Sequence, residues 1–488
     1  MVQGKAPAAN ARQRFVAALQ SGDLAAAVTA GRALLRASPD DAPIHHNLGH
    51  VLGEIGHLEE AAVHARRAVE LAPEHAQFRQ GLASLLVRLN QHEEAVEVCE
   101  EGLPVVSEPD MLIGYLAELH VFASRFEEAR TLLSPRLEHD PPEPLVILAF
   151  ARLAPRIDAV DRAVELLLQL EQHPAISENY RTRARFRLGM LLDRTGRFDE
   201  AFAWFDKANS PAALRYSPQN TSMAFEQLMR RWSESVYRRL PVSGIDSQRP
   251  VFIVSVPRSG STLVEQIIDS HPEAGAMGEW RGIPNASESL RRRYGAPALD
   301  PQRLKAPHLA EAARRYLEES NRFSGATRVT DKMLTNFQHI GLISLLFPDA
   351  RIIECLRHPF DTALSAFFQD FTSGNPWASS LRGMACFRQD FDRVMSHWKR
   401  LVPNPILTVH YETLVEHQEA ETRRILEFLD LPWNDACMEF HRNRRVVLTA
   451  SNQQVNQQIY ASSMRRYRNY ASHLGPLRDV LGDPERLT

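Results

Sequence analysis

A stretch near the middle of the chain, VFIVSVPRSGSTLVEQIIDSHP beginning at Val251, joins an apolar run, a short loop of small and basic residues, and a second run in which apolar residues recur at helical spacing. The pattern predicts a buried strand, a tight loop and a helix starting near Ser261. Backbone N–H groups of such a loop and the unpaired N–H groups of the first helical turn converge on one spot, where the helix dipole adds positive potential, so the spot suits a phosphate. Arg258 adds a forked charged donor, and the Ser261 and Thr262 hydroxyls can reach oxygens of the same group. A nucleotide triphosphatase loop reads GxxxxGK[ST], and neither its first glycine nor its lysine is present. Two readings stay open beside the anion site: a kinase or triphosphatase using a variant loop, and a plain strand-to-helix turn in which Gly260 serves conformation only.

Other residues could work with such a loop. Glu279, in GAMGEWRGIP, offers a carboxylate that could take the proton of an acceptor hydroxyl, a poor nucleophile near neutral pH. By itself it is equally a surface carboxylate. The segment RIIECLRHPFDTALSAF predicts a strand ending at Arg357 and a helix bearing Ser365, which face one anion only if the chain folds back at HPFD. Lys332, in TRVTDKMLTNF, closes another predicted strand.

The elements that position these residues follow an alternation. Short apolar runs at VFIVSV, ATRVTDK, ARIIECL and PILTVHY are separated by helical text, which predicts a parallel sheet covered on both faces. Before it the text repeats: Ala27, Ala61, Ala95, Ala129 and Ala163 follow one another at intervals of 34 residues, with a sixth copy at Ala201, and around them recur GDLAAA, GHLEEA, NQHEEA (from Asn90), SRFEEA and GRFDEA. This unit resembles the tetratricopeptide repeat, with Pro39 and Pro73 at the expected breaks and Pro141, Pro142 and Pro144 at a looser junction. The resemblance implies stacked helical pairs with a concave groove. His46, His50 and Glu54, spaced four apart on one helix, could share a face as metal ligands, but a surface or packing role is the simpler reading; His45 falls where the repeat places a packing aromatic, and no nearby Cys completes a coordination shell. The acidic pairs Glu59–Glu60, Glu93–Glu94 and Glu127–Glu128 read as solvated helix starts.

A chain of 488 residues exceeds one ordinary core. The expected division is a repeat domain over 8–214, a helical linker over 215–249 and a catalytic domain over 250–488. A net charge of -3 removes any global attraction to nucleic acid, so an anion site must be local. Cys99, Cys355, Cys386 and Cys437 are too scattered for a disulfide framework, the N-terminus lacks a signal-peptide core, and no apolar run is long enough to span a membrane, so the expectation is a cytoplasmic protein.

Taken together, the loop and the segments around it resemble the PAPS-dependent sulfotransferases over roughly residues 250–477, and within them the protein-tyrosine sulfotransferases and bacterial proteins joining tetratricopeptide repeats to such a domain. The resemblance implies an α-solenoid followed by a P-loop-like α/β sulfotransferase domain that moves a sulfuryl group from 3′-phosphoadenosine 5′-phosphosulfate (PAPS) to an acceptor hydroxyl, without a metal, leaving 3′,5′-adenosine bisphosphate. Carried over by position, Arg258, Ser259, Gly260, Ser261 and Thr262 bind the 5′-phosphosulfate and Glu279 is the base. Arg357 and Ser365 grip the 3′-phosphate. Lys332 stabilises charge on the transferring group and Ser451 is the catalytic serine. Tyr411, Arg466 and Tyr467 lie near the nucleotide. Where the tyrosine enzymes have a cysteine before the base and another before the lysine, this chain has Ala276 and Thr330, and Trp280 stands where they have a small polar residue, so the acceptor pocket differs. The acceptor stays open between a polypeptide tyrosine, a sugar, a lipid and a small phenol. The repeats are expected to bind a polypeptide, against the alternatives of buttressing the catalytic domain or forming a homodimer. A scaffold without activity is a further alternative, against which stands the joint presence of six candidate residues.

Overall fold

The computed structural model describes residues 5–89, 91–139, 142–214, 216–295, 298–323, 325–371, 375–443, 459 and 463–487. The chain forms two compact units, Met1–Arg197 and Phe198–Thr488. Asn90 and Pro141 lie outside the described residues.

The first unit is helical: α1 Lys5–Ser21, α2 Leu24–Ala37, α3 Ala42–Glu54, α4 Leu58–Leu71, α5 Ala76–Arg88, α6 His92–Gly102, α7 Asp110–Phe122, α8 Phe126–Leu133, α9 Pro144–Leu153, α10 Val160–Gln172 and α11 Glu178–Arg194. The period of the text becomes the period of the structure, for α2, α4, α6, α8 and α10 each begin 34 residues after the last. The recurring alanine is the fourth residue of each of these helices, and Ala27, Ala61, Ala95, Ala129 and Ala163 are all fully buried. A larger side chain there would hold the paired helices apart. The turn before each helix needs a left-handed residue, supplied by Gly22 and Gly56 and, in the fourth copy, by Ser124. The acidic pairs occupy the first turns of α4, α6 and α8, where the helix dipole favours them. His45 is buried, its Nδ1 2.9 Å from Nδ1 of His64 and its Nε2 2.9 Å from the Pro39 carbonyl oxygen. Its ring is thus tied up in packing.

The second unit opens with α12 Phe198–Ala213, α13 Pro218–Arg231 and α14 Glu234–Tyr237. These helices pack onto the α/β part: Phe205 stacks on Phe368, Asn209 Nδ2 donates to the Phe367 carbonyl (2.8 Å), and Trp232 lies edge-on to Trp398. The polar stretch that follows is held by Ser243, which bonds the carbonyls of Leu345 and Leu346. Then come β1 Pro250–Ser255, α15 Ser261–Asp269, β2 Ala274–Ala276, α16 Gly282–Arg293, α17 Ala306–Glu319, β3 Arg328–Asp331, α18 Ile340–Leu346, β4 Arg351–Leu356, α19 Pro359–Phe367, α20 Leu381–Leu401, β5 Ile406–His410, α21 Tyr411–Glu416, α22 Gln418–Phe428 and α23 Gly475–Leu481.

The five strands form one parallel sheet in the order β2-β3-β1-β4-β5. Every residue of β1 is buried, because both faces are covered. Val251 and Ile253 pack with Leu263 and Ile267 of α15 and Ile425 of α22, while Phe252 packs with Tyr316 of α17 and Phe347 beyond α18. From β1 the chain moves to β2 on one side, and from β4 to β5 on the other. The loops leaving β1 and β4 therefore diverge and open a crevice at the carboxyl edge of the sheet, the place where open α/β sheets bind ligands. No helix among the described residues is long and apolar enough to cross a membrane.

The close helix contacts of the first unit generate a prediction. A Cβ at Gly114 of α7 would stand 2.7 Å from the backbone carbon of Leu145 in α9, where no flexible side chain can yield. Gly114→Ala is expected to destabilise the unit by about 1–3 kcal/mol, read as a lowered denaturant midpoint.

Candidate active site

The loop after β1 turns sharply because two of its residues are left-handed. Arg258 has φ +73° and Gly260 has φ +86°. At Gly260 a side chain is excluded twice, since a Cβ would lie 2.6 Å from Cδ2 of Tyr411. At Arg258 the conformation costs on the order of 1 kcal/mol or more, and the surrounding contacts must hold it. The first turn of α15 follows directly, with Gly260 at its N-terminal boundary and Ser261 as its first residue. Ser259, Ser261 and Thr262 are all buried.

Arg357, one residue beyond β4, sits across the crevice. It is buried, donates through Nη1 to the Arg258 carbonyl (3.2 Å) and through Nη2 to the Ser463 carbonyl (2.6 Å), and lies 4.8 Å from the centre of the Tyr411 ring. Arg258 in turn donates through Nε to Ser365 Oγ (2.9 Å), and the Tyr411 hydroxyl is 2.6 Å from Ser463 Oγ. The chain does fold back at HPFD. Arg258, Arg357, Ser365 and Tyr411, which come from the loop, β4, α19 and α21, form one cationic cluster.

On the other side of β1, Lys332 follows β3 and is wholly buried, with its Nζ 2.9 Å from Glu279 Oε1. The Glu279 side chain is about half exposed at 48%. This leaves one partner dry and the other open to an incoming group. Backbone bonds extend the β2–β3 pairing up to this point: Met277 N–H donates to the Thr330 carbonyl and Lys332 N–H to that of Gly278.

Tyr467 and Arg466 each pack against aromatic rings. The Tyr467 ring stacks on His358 (4.6 Å between centres) and its hydroxyl donates to Glu485 (2.8 Å), while the Arg466 guanidinium lies 5.7 Å from the centre of the Phe368 ring. The Tyr467 N–H donates to Asp361, whose carboxylate interacts with Arg357. Ser451 lies outside the described residues. Three residues were missed. Ser463 joins Tyr411 and Arg357. Glu412 accepts from the His358 N–H (2.9 Å), and Asp361 accepts from the N–H groups of Arg465 (2.7 Å) and Tyr467 (2.9 Å). Burial pushes the Asp361 carboxyl up while Arg357 and these N–H groups oppose it. The aspartate in HPFD was the available signal, but its partners lie about 100 residues away and no local pattern names them.

The fold and this geometry define a class: a helical-repeat unit, and a parallel α/β unit with a crevice at the carboxyl edge of its sheet, lined by Arg258 and Arg357, and a lysine–glutamate pair beside it. Residues 250–435 match the sulfotransferase family, and residues 54–112 and 148–214 match tetratricopeptide repeats. Parts of the chain are thus similar to the sulfotransferase family and to tetratricopeptide repeats. An uncharacterized protein of Aquifex aeolicus (strain VF5) is 31% identical over 336 residues, 66% of this chain and 44% of that protein. Protein-tyrosine sulfotransferase A of Caenorhabditis elegans is 28% identical over 48% of this chain and 60% of its own length, and the Drosophila melanogaster protein-tyrosine sulfotransferase is 28% identical over 38% and 39%. The chain spans about half the length of these relatives. Among solved structures, the sulfotransferase domain from the Synechococcus PCC 7002 olefin synthase aligns with a TM-score of 0.37 at 18% identity, covering 47% of this chain and 91% of that one.

Asp331, the residue before Lys332, generates a prediction. It is fully buried and accepts from Met333 N–H (3.0 Å), Asn336 Nδ2 (3.0 Å) and the Tyr316 hydroxyl (3.1 Å). Burial outweighs these bonds and pushes its carboxyl up to about 7. Between about pH 4 and 7 the native state therefore holds a proton that the unfolded chain releases, so this group's contribution to stability is present at low pH and lost as pH rises through 7. Asp331→Asn is expected to flatten the fall in unfolding free energy between pH 5 and pH 8, measured by urea titration at both.

Proposed function

We propose that the chain transfers a sulfuryl group from PAPS to an acceptor hydroxyl. The observation that carries this reading is the pairing of two constellations at the carboxyl edge of the sheet, the Arg258–Ser365–Arg357–Tyr411 cluster at the β1/β4 crevice and the Lys332–Glu279 pair at β3. The residues fit such a donor. Arg357 Nε is buried and has no hydrogen-bond partner among the described residues, which leaves a charged donor for an anionic ligand to satisfy. The donor, when bound, supplies an activated sulfuryl group whose transfer leaves 3′,5′-adenosine bisphosphate.

The protein's own groups then divide the work. The loop 257–262 holds the 5′ end through backbone N–H groups, Arg258 and the Ser259, Ser261 and Thr262 side chains, while Arg357 and Ser365 hold the 3′-phosphate, with Tyr411 beside it and Arg466 and Tyr467 toward the adenine. Glu279, with its side chain half exposed, takes the acceptor proton. Lys332, already dehydrated, directs its charge at the transferring group, where low dielectric strengthens it, and Ser451 acts on the same group. All the cations in this scheme are side chains, so it calls for no metal. Relatives named protein-tyrosine sulfotransferases support a polypeptide tyrosine as the acceptor. We assign the repeats, residues 8–214, to binding a polypeptide that is or carries the acceptor, residues 215–249 to a linker, and 250–488 to catalysis. Cys99, Cys355, Cys386 and Cys437 are all unpaired, which supports a reducing, cytoplasmic location.

Calorimetry with 3′,5′-adenosine bisphosphate against ATP and magnesium tests the donor site; binding of ATP alone would overturn the reading. Glu279→Gln is expected to keep the affinity for the bisphosphate and to lower turnover of radiolabelled PAPS by about 10²–10⁴. Arg357→Ala is expected to weaken binding of the bisphosphate far more than that of adenosine 5′-phosphosulfate, which lacks the 3′-phosphate, by roughly 1.5–3 kcal/mol, measured by calorimetry with both ligands.

A further inference from the structure

Glu265 occupies the second turn of α15, among Leu263, Val264, Ile267 and Ile268, which pack on the sheet. It is only 2% exposed. A carboxylate in such a place is costly unless its oxygens accept hydrogen bonds. Its Oε1 accepts from the Gly278 N–H (3.1 Å) and from Thr330 Oγ1 (3.3 Å). Gly278 immediately precedes Glu279, and Thr330 precedes Lys332 by two residues. A single oxygen, rooted in the helix that begins at the anion loop, therefore fastens together the two backbone segments that carry the ion pair.

The fastening falls where registered pairing gives way to two backbone bonds, from Met277 N–H to the Thr330 carbonyl and from Lys332 N–H to that of Gly278. The last registered pair of β2 and β3 is Ala276 with Thr330, and the chain then leaves the sheet through Gly278 at φ +69°, a conformation a glycine adopts freely and abandons as freely. Glu279 lies beyond that joint and is half exposed, so its placement depends on the bonds that hold Gly278: the Lys332 N–H on its carbonyl and Glu265 on its N–H. Here the β2–β3 junction is tied by hydrogen bonds to a buried carboxylate.

We propose that Glu265 is a positioning residue: it sets the distance between Glu279 and Lys332 by holding Gly278 and Thr330 on one oxygen. The proposal rests on Glu279 and Lys332 acting as described above. Glu265→Leu keeps an apolar side chain of similar reach in the core and removes both acceptors. Glu265→Gln keeps an oxygen that can accept both bonds. The expected result is a loss of about 10²-fold in kcat for Glu265→Leu, the order of effect of a misplacement of about 1 Å, with bisphosphate affinity within twofold of wild type and with recovery to within about threefold in Glu265→Gln. In a Glu279→Gln background the further Glu265→Leu change is expected to alter kcat less than threefold, because the group being positioned is already gone. A role only in the fold would instead lower kcat in both backgrounds alike. Hydrogen exchange provides a readout independent of turnover: amides of residues 277–280 are expected to exchange at least tenfold faster in Glu265→Leu while β1 stays protected. If wild type transfers sulfuryl and Glu265→Leu does so equally well, the positioning role is overturned and the assigned reaction stands. If wild type transfers none, the reaction fails and exchange decides the fastening alone; unchanged exchange at 277–280 overturns it.

Discussion

Arg357 is where three distant stretches of chain meet. Its guanidinium reaches the carbonyl of Arg258 in the loop after β1 and the carbonyl of Ser463 near the C-terminus, and its face lies against Tyr411 after β5. A buried guanidinium is tolerated only when its N–H groups are matched by acceptors or anions, so the demand for partners draws these segments to one side of the crevice. Two of the five N–H groups find carbonyls. Nε does not find one among the described residues, and this unmet demand is what the proposed anionic donor would satisfy.

The other charged groups near the sheet edge obey the same constraint. Lys332 is dry and is matched by Glu279. Asp331 is dry and is matched by three neutral donors, which leaves its charge poorly compensated. Glu265 is matched by an amide and a hydroxyl. Uncompensated buried charge is expensive, and removing one partner of such a pair is more damaging than the pair is worth in stability. This arrangement is expected of a site whose geometry, more than its stability, has to be kept. It also explains why the residues adjoining the Lys332–Glu279 pair, Thr330, Asp331 and Gly278, are as constrained as the pair itself.

The repeat unit is organised by a different constraint. Each helical pair buries small residues at its crossing, and a Cβ at Gly49 would stand 2.9 Å from the Ala61 carbonyl oxygen. Stability is then spread over nearest-neighbour contacts instead of one core. The second unit instead depends on long-range matches, such as those of Arg357 and of Asp361 with Arg465 and Tyr467, each joining residues about 100 positions apart.

This difference accounts for what could be read without coordinates. The repeat period, the strand–loop–helix at Ser261 and the parallel sheet were legible because each depends on residues close in sequence: an alanine every 34 positions, a glycine forced into a left-handed turn, and apolar runs of strand length. The convergence of Arg258, Arg357 and Ser365 was inferable from a family's text, though not from local chemistry. The tertiary structure decided the rest. It turned Tyr467 toward His358 and Glu485, gave Asp361 and Ser463 their partners, and put Glu265, one apparent polar interruption in an amphipathic helix, under the joint between Gly278 and Thr330. The sequence by itself determines which side chains are charged, but what each charge must satisfy depends on which distant groups are buried beside it, and only the packed chain supplies them.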